Sequence, residues 1–357
     1  MKIAVIGAGI FGVTVSYALS SNHSIDLYEK NSDILMSASD VNQCRVHRGY
    51  HYPRSDDTVK ELLDANSSFI DEFSEAIVPN TKNFYAVAKK DSLITSNEYV
   101  DFCKKHNLEH ENFKLELLNY DMIDLCVQVN ENLFDHKKLK EICWQKLNES
   151  NVNVLLNSKA TKEILKKYDL VVICTYGDWE DLIENPSNQK QNFQFEVCEK
   201  VFVTLPEKFS NTSILIMDGP FMSIDPVGDS NLFIIGDVVH TVRQRSYGKT
   251  PQIDEKFVPF MNKGILKNCP ISNYQKFIDS ASRFIPDISD ADYVGSSFCI
   301  KTTLANVDKT DTRPTIINQI DTKTITVFSG KIPTCIQTAK KIKQLVSEFN
   351  DNSKHNH

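Results

Sequence analysis

The chain has 357 residues, 41% of them apolar and 24% charged, which suits a globular protein with one large domain or two intertwined ones. Its net charge of −7 argues against a nucleic-acid partner, because a phosphate-tracking surface needs clustered Lys and Arg. The nine cysteines are scattered, odd in number and without a CxxC pair, so they read as reduced thiols and not as a disulfide scaffold.

Lys2–Ile6 is a β-branched apolar run and predicts a buried strand, Ile10–Leu19 a short apolar helix, and Ser24–Glu29 a second strand. This is a βαβ unit and implies a parallel sheet. The apolar Met1–Ser20 stretch imitates a leader peptide. Three glycines at fixed offsets interrupt it, however, and a strand with an acidic end follows. No apolar run reaches the length of a bilayer, so the expectation is a cytoplasmic protein that starts at Met1 and has no membrane partner.

Thr58–Phe73 predicts a helix, Asn83–Ala88 a strand, and Asn97–Glu149 a polar, helix-rich stretch. Within that stretch Cys103, His106 and His110 have the spacing of one helical face, but their Lys, Asn and Glu neighbours favour a solvated surface and no metal site. Asn151–Leu156 returns to strand, and Asp169–Thr175 is a continuous apolar run, as in a strand buried on both faces. Phe193–His240 holds successive strand-like runs separated by turn residues, which predicts an antiparallel sheet. A helical stretch over Lys256–Phe284, a strand at Tyr293–Thr303, another at Thr322–Phe328 and a helix over Pro333–Asn350 complete the chain, with residues 351–357 as a disordered tail.

The segment Gly7-Ala8-Gly9-Ile10-Phe11-Gly12 matches GxGxxG, and here it follows a strand, opens a helix and precedes a second strand. Gly7 suits the tight turn, Gly9 lets backbone approach a pyrophosphate, and Gly12 lets helix and strand pack closely. Phosphates would rest on the helix N-terminus, where Ile10 and Phe11 begin the first turn and unpaired N–H groups favour negative charge. Glu29 ends the second strand, 22 residues after Gly7, where a carboxylate accepts from ribose hydroxyls, and Lys30 follows it. An adenine dinucleotide is therefore expected. The first 30 residues do not choose between NAD and FAD.

Two later segments favour FAD. Asp169–Gly177, with Thr175 and Gly177 at its end, resembles a flavin-family strand beneath the dinucleotide. Asp311-Thr312-Arg313-Pro314, a strand, then Gly330, Lys331 and Ile332 before the last helix resemble that family's closing segment, which faces the flavin pyrimidine. In this order of segments the chain resembles the D-amino-acid oxidase superfamily, which includes monomeric sarcosine oxidase and glycine oxidase. The resemblance implies an α/β fold with an α+β substrate part. A Rossmann-type FAD-binding domain with a parallel sheet would take residues 1–80, 150–190 and 304–350, and a mostly antiparallel substrate domain 81–149 and 191–303. Some members attach flavin through a Cys before the closing segment. Here Lys301-Thr302-Thr303 stands in that place and Cys299 is out of register, so FAD is expected to be non-covalent.

Ser39–Ser55 packs Arg45, His47, Arg48, Tyr50, His51, Tyr52 and Arg54 into ten residues. The resemblance puts Arg45 near the isoalloxazine and Arg48 on a substrate carboxylate, and a guanidinium fork suits bidentate carboxylate binding. His47 and His51 are the candidate bases, and Tyr50, Tyr52 and His240 are candidate substrate contacts. The expected activity is FAD-dependent removal of hydride from a carbon bearing an amine or hydroxyl in a small carboxylate- or sugar-containing substrate. The alternatives are an NAD-dependent dehydrogenase, a non-redox flavin enzyme such as a sugar-nucleotide mutase, and a non-catalytic assembly partner. The oligomeric state is left open.

Overall fold

The computed structural model describes residues 1–183, 192–307 and 309–354. In chain order the first elements are β1 (Lys2–Ile6), α1 (Ile10–Leu19), β2 (Ser24–Tyr28), β3 (Arg45–Val46), α2 (Asp56–Glu72), β4 (Lys82–Ala88) and α3 (Ser96–Lys105). Then come β5 (His110–Asn112), β6 (Ile123–Val129), β7 (Asn132–Leu133), α4 (His136–Asn148), β8 (Val152–Leu155), α5 (Lys162–Leu165) and β9 (Leu170–Ile173). The second half contains β10 (Phe193–Thr204), β11 (Thr212–Met217), β12 (Met222–Pro226), β13 (Leu232–Asp237) and β14 (Val242–Gly248). It ends with α6 (Tyr274–Ser282), β15 (Asp292–Leu304), β16 (Ile316–Gln319), β17 (Thr324–Phe328) and α7 (Cys335–Lys354).

One sheet has six strands in the order β16-β17-β9-β1-β2-β8, parallel except for edge strand β16. The apolar runs at β1 and β9 are continuous because both faces of this sheet are covered. Ile3, Val5, Leu170 and Val172 point into a core shared with α1, α4 and α7. Ala4, Ile6, Val171 and Ile173 point the other way, toward Trp179, Phe193 and Phe195.

The second sheet has nine strands, in the order β14-β10-β13-β12-β11-β4-β6-β5, with β15 paired along β10. It is antiparallel apart from the β4–β11 pair. Its side chains alternate in a way that sets up the site. Val201, Val203, Ile214, Ile216, Ile224, Phe233 and Ile235 form one apolar face, packed on Phe277, Ile278 and Ala281 of α6. The intervening residues Tyr85, Lys200, Ser213, Ser223 and Asp225 form the opposite face, which is polar and yet buried.

Some expectations change. The stretch 97–149 holds α3 and α4 but also β5 and β6, whose IDLCVQV has the alternating exposure of a strand. Leu139, Cys143 and Leu147 of α4 pack with the parallel sheet, so this helix sides with the dinucleotide layer and not with 81–149 as a block. Between Lys256 and Phe284 only α6 and a short 3-10 turn at Val258–Phe260 are helical. Helix α7 continues to Lys354, into the stretch expected to be disordered, while 355–357 lie outside the described residues. The same holds for 184–191, where the expected boundary at 190 falls. All nine cysteines are free and buried. No helix among the described residues is long and apolar enough to cross a membrane.

Candidate active site

The dinucleotide cradle forms where β1 ends. Gly7 has φ +94°, a conformation that side chains disfavour, and a Cβ on Gly12 would lie 1.8 Å from the Gly7 carbonyl oxygen. Helix α1 therefore starts hard against the strand. Its N-cap is Gly9, no side chain caps it, and its first turn has no acidic residue, so an anion meets N–H donors and no repulsion. The Ile10 N–H donates to Ser39 Oγ at 3.1 Å. The side chains of Ile10 and Phe11 are buried in the core, which leaves their backbone as the ligand-facing part.

Glu29 is buried and ties the cradle together. Its carboxylate accepts from Ala8 N at 2.7 Å, from Asn31 N at 2.9 Å and from Asn31 Nδ2 at 2.7 Å, three of the about four acceptor positions a carboxylate has. Lys30, expected at the cofactor, pairs with Asp178 at 3.1 Å on a half-exposed surface. Thr175 packs against Gly7, and its buried Oγ1 has no partner, as a ligand-facing hydroxyl would. Gly177 serves packing, since a Cβ there would lie 2.6 Å from Thr302 Cγ2.

The closing segment returns beside this cradle. Gly330 N donates to Thr315 Oγ1 at 3.2 Å, and Thr14 Oγ1 of α1 reaches the Cys335 carbonyl at the start of α7 at 3.4 Å. Lys331 and Ile332 occupy the turn between β17 and α7, with Ile332 packed on the dinucleotide-side core. Thr302, Thr303, Arg313, Ser329 and Gly330 line a small cavity here. The Lys331 ammonium lies 5.1 Å above the Tyr52 ring. Burial lowers its pKa to about 7, with Arg313 adding repulsion.

The Ser39–Ser55 segment joins this cradle to the polar face of the large sheet. Arg45 sits fully buried in that face, between Asp225 Oδ1 at 2.7 Å and Glu131 Oε2 at 3.3 Å, with Ser213 Oγ and the Tyr85 ring also in contact. Both terminal nitrogens of its fork are thus engaged by protein, while its buried Nε has no partner. Arg48 likewise departs from the expected carboxylate clamp. Its Nη1 donates to the Asn130 carbonyl at 3.0 Å near the surface, and its backbone N–H donates to Glu131 Oε1 at 2.9 Å. The reason is local: Arg45 and Val46 form β3, paired with β7, while Arg48 lies in the loop that follows.

Two histidines and a tyrosine come together. The His47 ring lies 5.7 Å from His51 and 5.6 Å from Tyr52, and His51 lies 4.9 Å from Tyr52. Nδ1 of each histidine and the Tyr52 hydroxyl are buried without hydrogen-bond partners. Burial lowers the pKa of His47, against the pull of Glu131, and lowers that of His51 well below the ordinary value, so both are neutral near pH 7. Glu131 shows the opposite balance. Burial pushes its pKa up, but His47, Arg45 and the Tyr85 hydroxyl at 2.6 Å hold it down to about 2.

Other candidates lie elsewhere. Tyr50 is a core residue whose hydroxyl donates to the Glu109 carbonyl at 2.6 Å. His240 sits in the turn after β13, 6.3 Å from the Phe277 ring, so it belongs to the α6 side of the sheet. His106 pairs with Asp56 and His110 with the Leu108 carbonyl, so neither joins Cys103 in a cluster. Glu131, Asp225, Tyr85 and Lys200 were not anticipated. The available signal was Gln194, Glu196, Cys198 and Lys200, polar groups at every second position of a strand that is buried throughout.

Residues 2–120 match the family described as FAD dependent oxidoreductase. The FAD-dependent monooxygenase FPY4 of Fusarium mangiferae is 25% identical over 249 residues, 67% of this chain and 64% of the relative. The FAD-dependent monooxygenase kojA of Aspergillus flavus is 22% identical, over 65% of this chain and 59% of that protein. The chain thus spans less than two thirds of the length of these curated relatives. In fold, it is similar to glycine oxidase from Geobacillus kaustophilus, with a TM-score of 0.72 at 12% identity over 97% of this chain and 95% of that one. The FAD-bound L-alpha-glycerophosphate oxidase of Mycoplasma pneumoniae gives 0.67 at 13% identity over 97% and 94%. The glycine cradle, its unopposed helix N-terminus and the unpartnered Thr175 hydroxyl fit an adenine dinucleotide, and the NAD alternative falls to these matches. Residues 2–120 match the FAD-dependent oxidoreductase family, the chain as a whole shares its fold with glycine oxidase, and the cofactor these matches support is FAD.

Proposed function

We propose that this protein removes hydride from a carbon bearing an amine or hydroxyl in a small substrate. The observation that carries the reading is the cluster of His47, His51 and Tyr52, whose buried polar atoms lack protein partners beside the closing segment. Bound FAD supplies the acceptor for the hydride. His47 takes the proton from the substrate hydroxyl or ammonium at Nε2, because Nδ1 faces Glu131 and is the atom that keeps its hydrogen. Its lowered pKa keeps it in the accepting form near neutrality. The Lys331 ammonium, held over Tyr52, places positive charge on the wall formed by the closing segment and favours negative charge there.

The test starts with the absorption spectrum before and after acid precipitation. Released FAD establishes non-covalent binding, and anaerobic bleaching by small amines or hydroxy acids identifies the substrate class. His47→Gln should slow bleaching by about 10²-fold or more. A flavin that no amine or hydroxy compound bleaches would refute the reading. A second reading, insertion of oxygen into the substrate, is favoured by the names of the fungal relatives. It predicts that turnover depends on an added reductant, whereas the first reading needs none.

A further inference from the structure

Lys200 of β10 is 8% exposed on the polar face of the large sheet. A buried ammonium is costly, by several kcal/mol, unless an anion pairs with it. Around Lys200 each acid already holds a cation, although Asp225 keeps one buried oxygen, Oδ2, without a partner. Asp225 holds Arg45 at 2.7 Å, Glu196 holds Arg245 at 3.0 Å and Lys301 at 3.0 Å, and Glu199 holds Arg243. Among the described residues no carboxylate lies within ion-pair distance of Lys200.

The nearest polar groups can each turn a hydrogen toward a ligand. Lys200 pairs across β10–β15 with Ser297, whose buried Oγ has no partner. On the other side, Gly236 pairs with Ser223 across β12–β13. A Cβ on Gly236 would lie 2.6 Å from Gln43 Nε2, 2.9 Å from Ser223 Oγ and 3.5 Å from Lys200 Nζ. Ammonium, amide and a hydroxyl thus converge over a residue that has no side chain. Gln43 comes from the segment whose Ser39 meets the N-terminus of α1, so this point lies at the end of the connection leading from the cofactor cradle.

We propose that Lys200, Gln43, Ser223 and Ser297 form a subsite for an oxyanion of the substrate, a carboxylate or a phosphate monoester. This rests on the oxidoreductase reading and takes over the part that Arg48 was expected to play. The ammonium can only donate, the amide and hydroxyls can donate beside it, and the buried, unpaired charge selects an anionic acceptor. Holding that group away from His47 lets the remainder of a small substrate span the distance to the cluster where its proton is taken.

The experiment is calorimetric titration of the FAD-loaded protein with acetate and, separately, with methyl phosphate. One of the two should bind saturably to the native protein, and which one identifies the oxyanion. Lys200→Met should weaken that binding about tenfold or more. Gly236→Ala, whose methyl group would push Gln43 Nε2 and Ser223 Oγ aside and leave the charges alone, should do the same, so the proposal stays testable if the lysine variant fails to fold. Native affinity in both variants, or no binding of either anion to the native protein, would overturn it. So would a Lys200→Met protein that loses FAD while its loaded fraction keeps native anion affinity, because the ammonium would then serve the cofactor. If the protein binds anions in this Lys200-dependent way but no amine or hydroxy compound bleaches its flavin, the activity reading fails and the subsite stands.

Discussion

Oε1 of Glu131 lies 3.7 Å from Nδ1 of His47, too far for a hydrogen bond and close enough to set its charge and tautomer. The groups facing His47 are Glu131, which raises its pKa, Lys331 and Arg45, which lower it, and the His51 and Tyr52 rings. Glu131→Gln removes the one raising influence. The acid limb of the kcat/KM profile should then move to lower pH while the plateau falls, because the imidazole is easier to keep neutral and less well oriented. A stability change with an unmoved limb would show that Glu131 only braces the fold.

Arg45 is the cation of a buried triad with Asp225 and Glu131. Arg45→Met would leave two carboxylates buried without it, and stability should fall by about 3–5 kcal/mol. Urea unfolding of the FAD-loaded protein measures this, and a loss below about 1 kcal/mol would mean that the triad is replaceable by packing.

Gly12→Ala sets a methyl group 1.8 Å from the Gly7 carbonyl oxygen, and neither backbone can yield while α1 stays on β1. The purified variant should contain little or no flavin, as read from its visible-to-ultraviolet absorbance ratio. Full flavin content would show that the cradle tolerates a shifted helix.

Lys331 gives a pH signature for the protein stripped of FAD. Burial lowers its pKa from the ordinary lysine value to about 7. Below that pH both folded and unfolded chains carry the proton, so the full cost of a buried charge weighs on the folded state. Above it the unfolded chain binds more protons, so this residue's contribution to stability rises with pH until the ordinary lysine range is reached. The urea midpoint of the apo-protein should climb over that window, and Lys331→Met should remove that part of the climb.

Legibility from sequence followed the range of the interactions. The cradle was readable because Gly7, Gly9, Gly12 and Glu29 all lie in one local βαβ unit. The buried strands β1 and β9 were readable because burial on both faces makes their composition continuous. Strand β6 was missed because it lies among helical stretches, and its alternation was outweighed by Leu and Ile spacing. Arg45 was legible as unusual, yet its partners were not, since Glu131 and Asp225 reach it only through the pairing of distant strands. The pairing of Arg45 with Arg48 failed for a related reason. Spacing along the chain does not reveal that Arg45 enters β3 and the large sheet's polar face while Arg48 lies in the loop beyond and turns to the Asn130 carbonyl.

The nine buried thiols have a consequence of their own. Burial raises the pKa of each one, and only the thiolate attacks alkylating reagents, so the native protein should be silent toward them. Their positions are spread over distinct layers. Cys44, Cys143, Cys174 and Cys335 lie with the parallel sheet, Cys126 under the α6 face, Cys103 on the buried side of α3, and Cys198 with Cys299 on the strand pair that carries Lys200. Timed alkylation followed by peptide mapping therefore turns the chain into its own recorder of opening, in which the order of labelling reports the order in which the layers come apart.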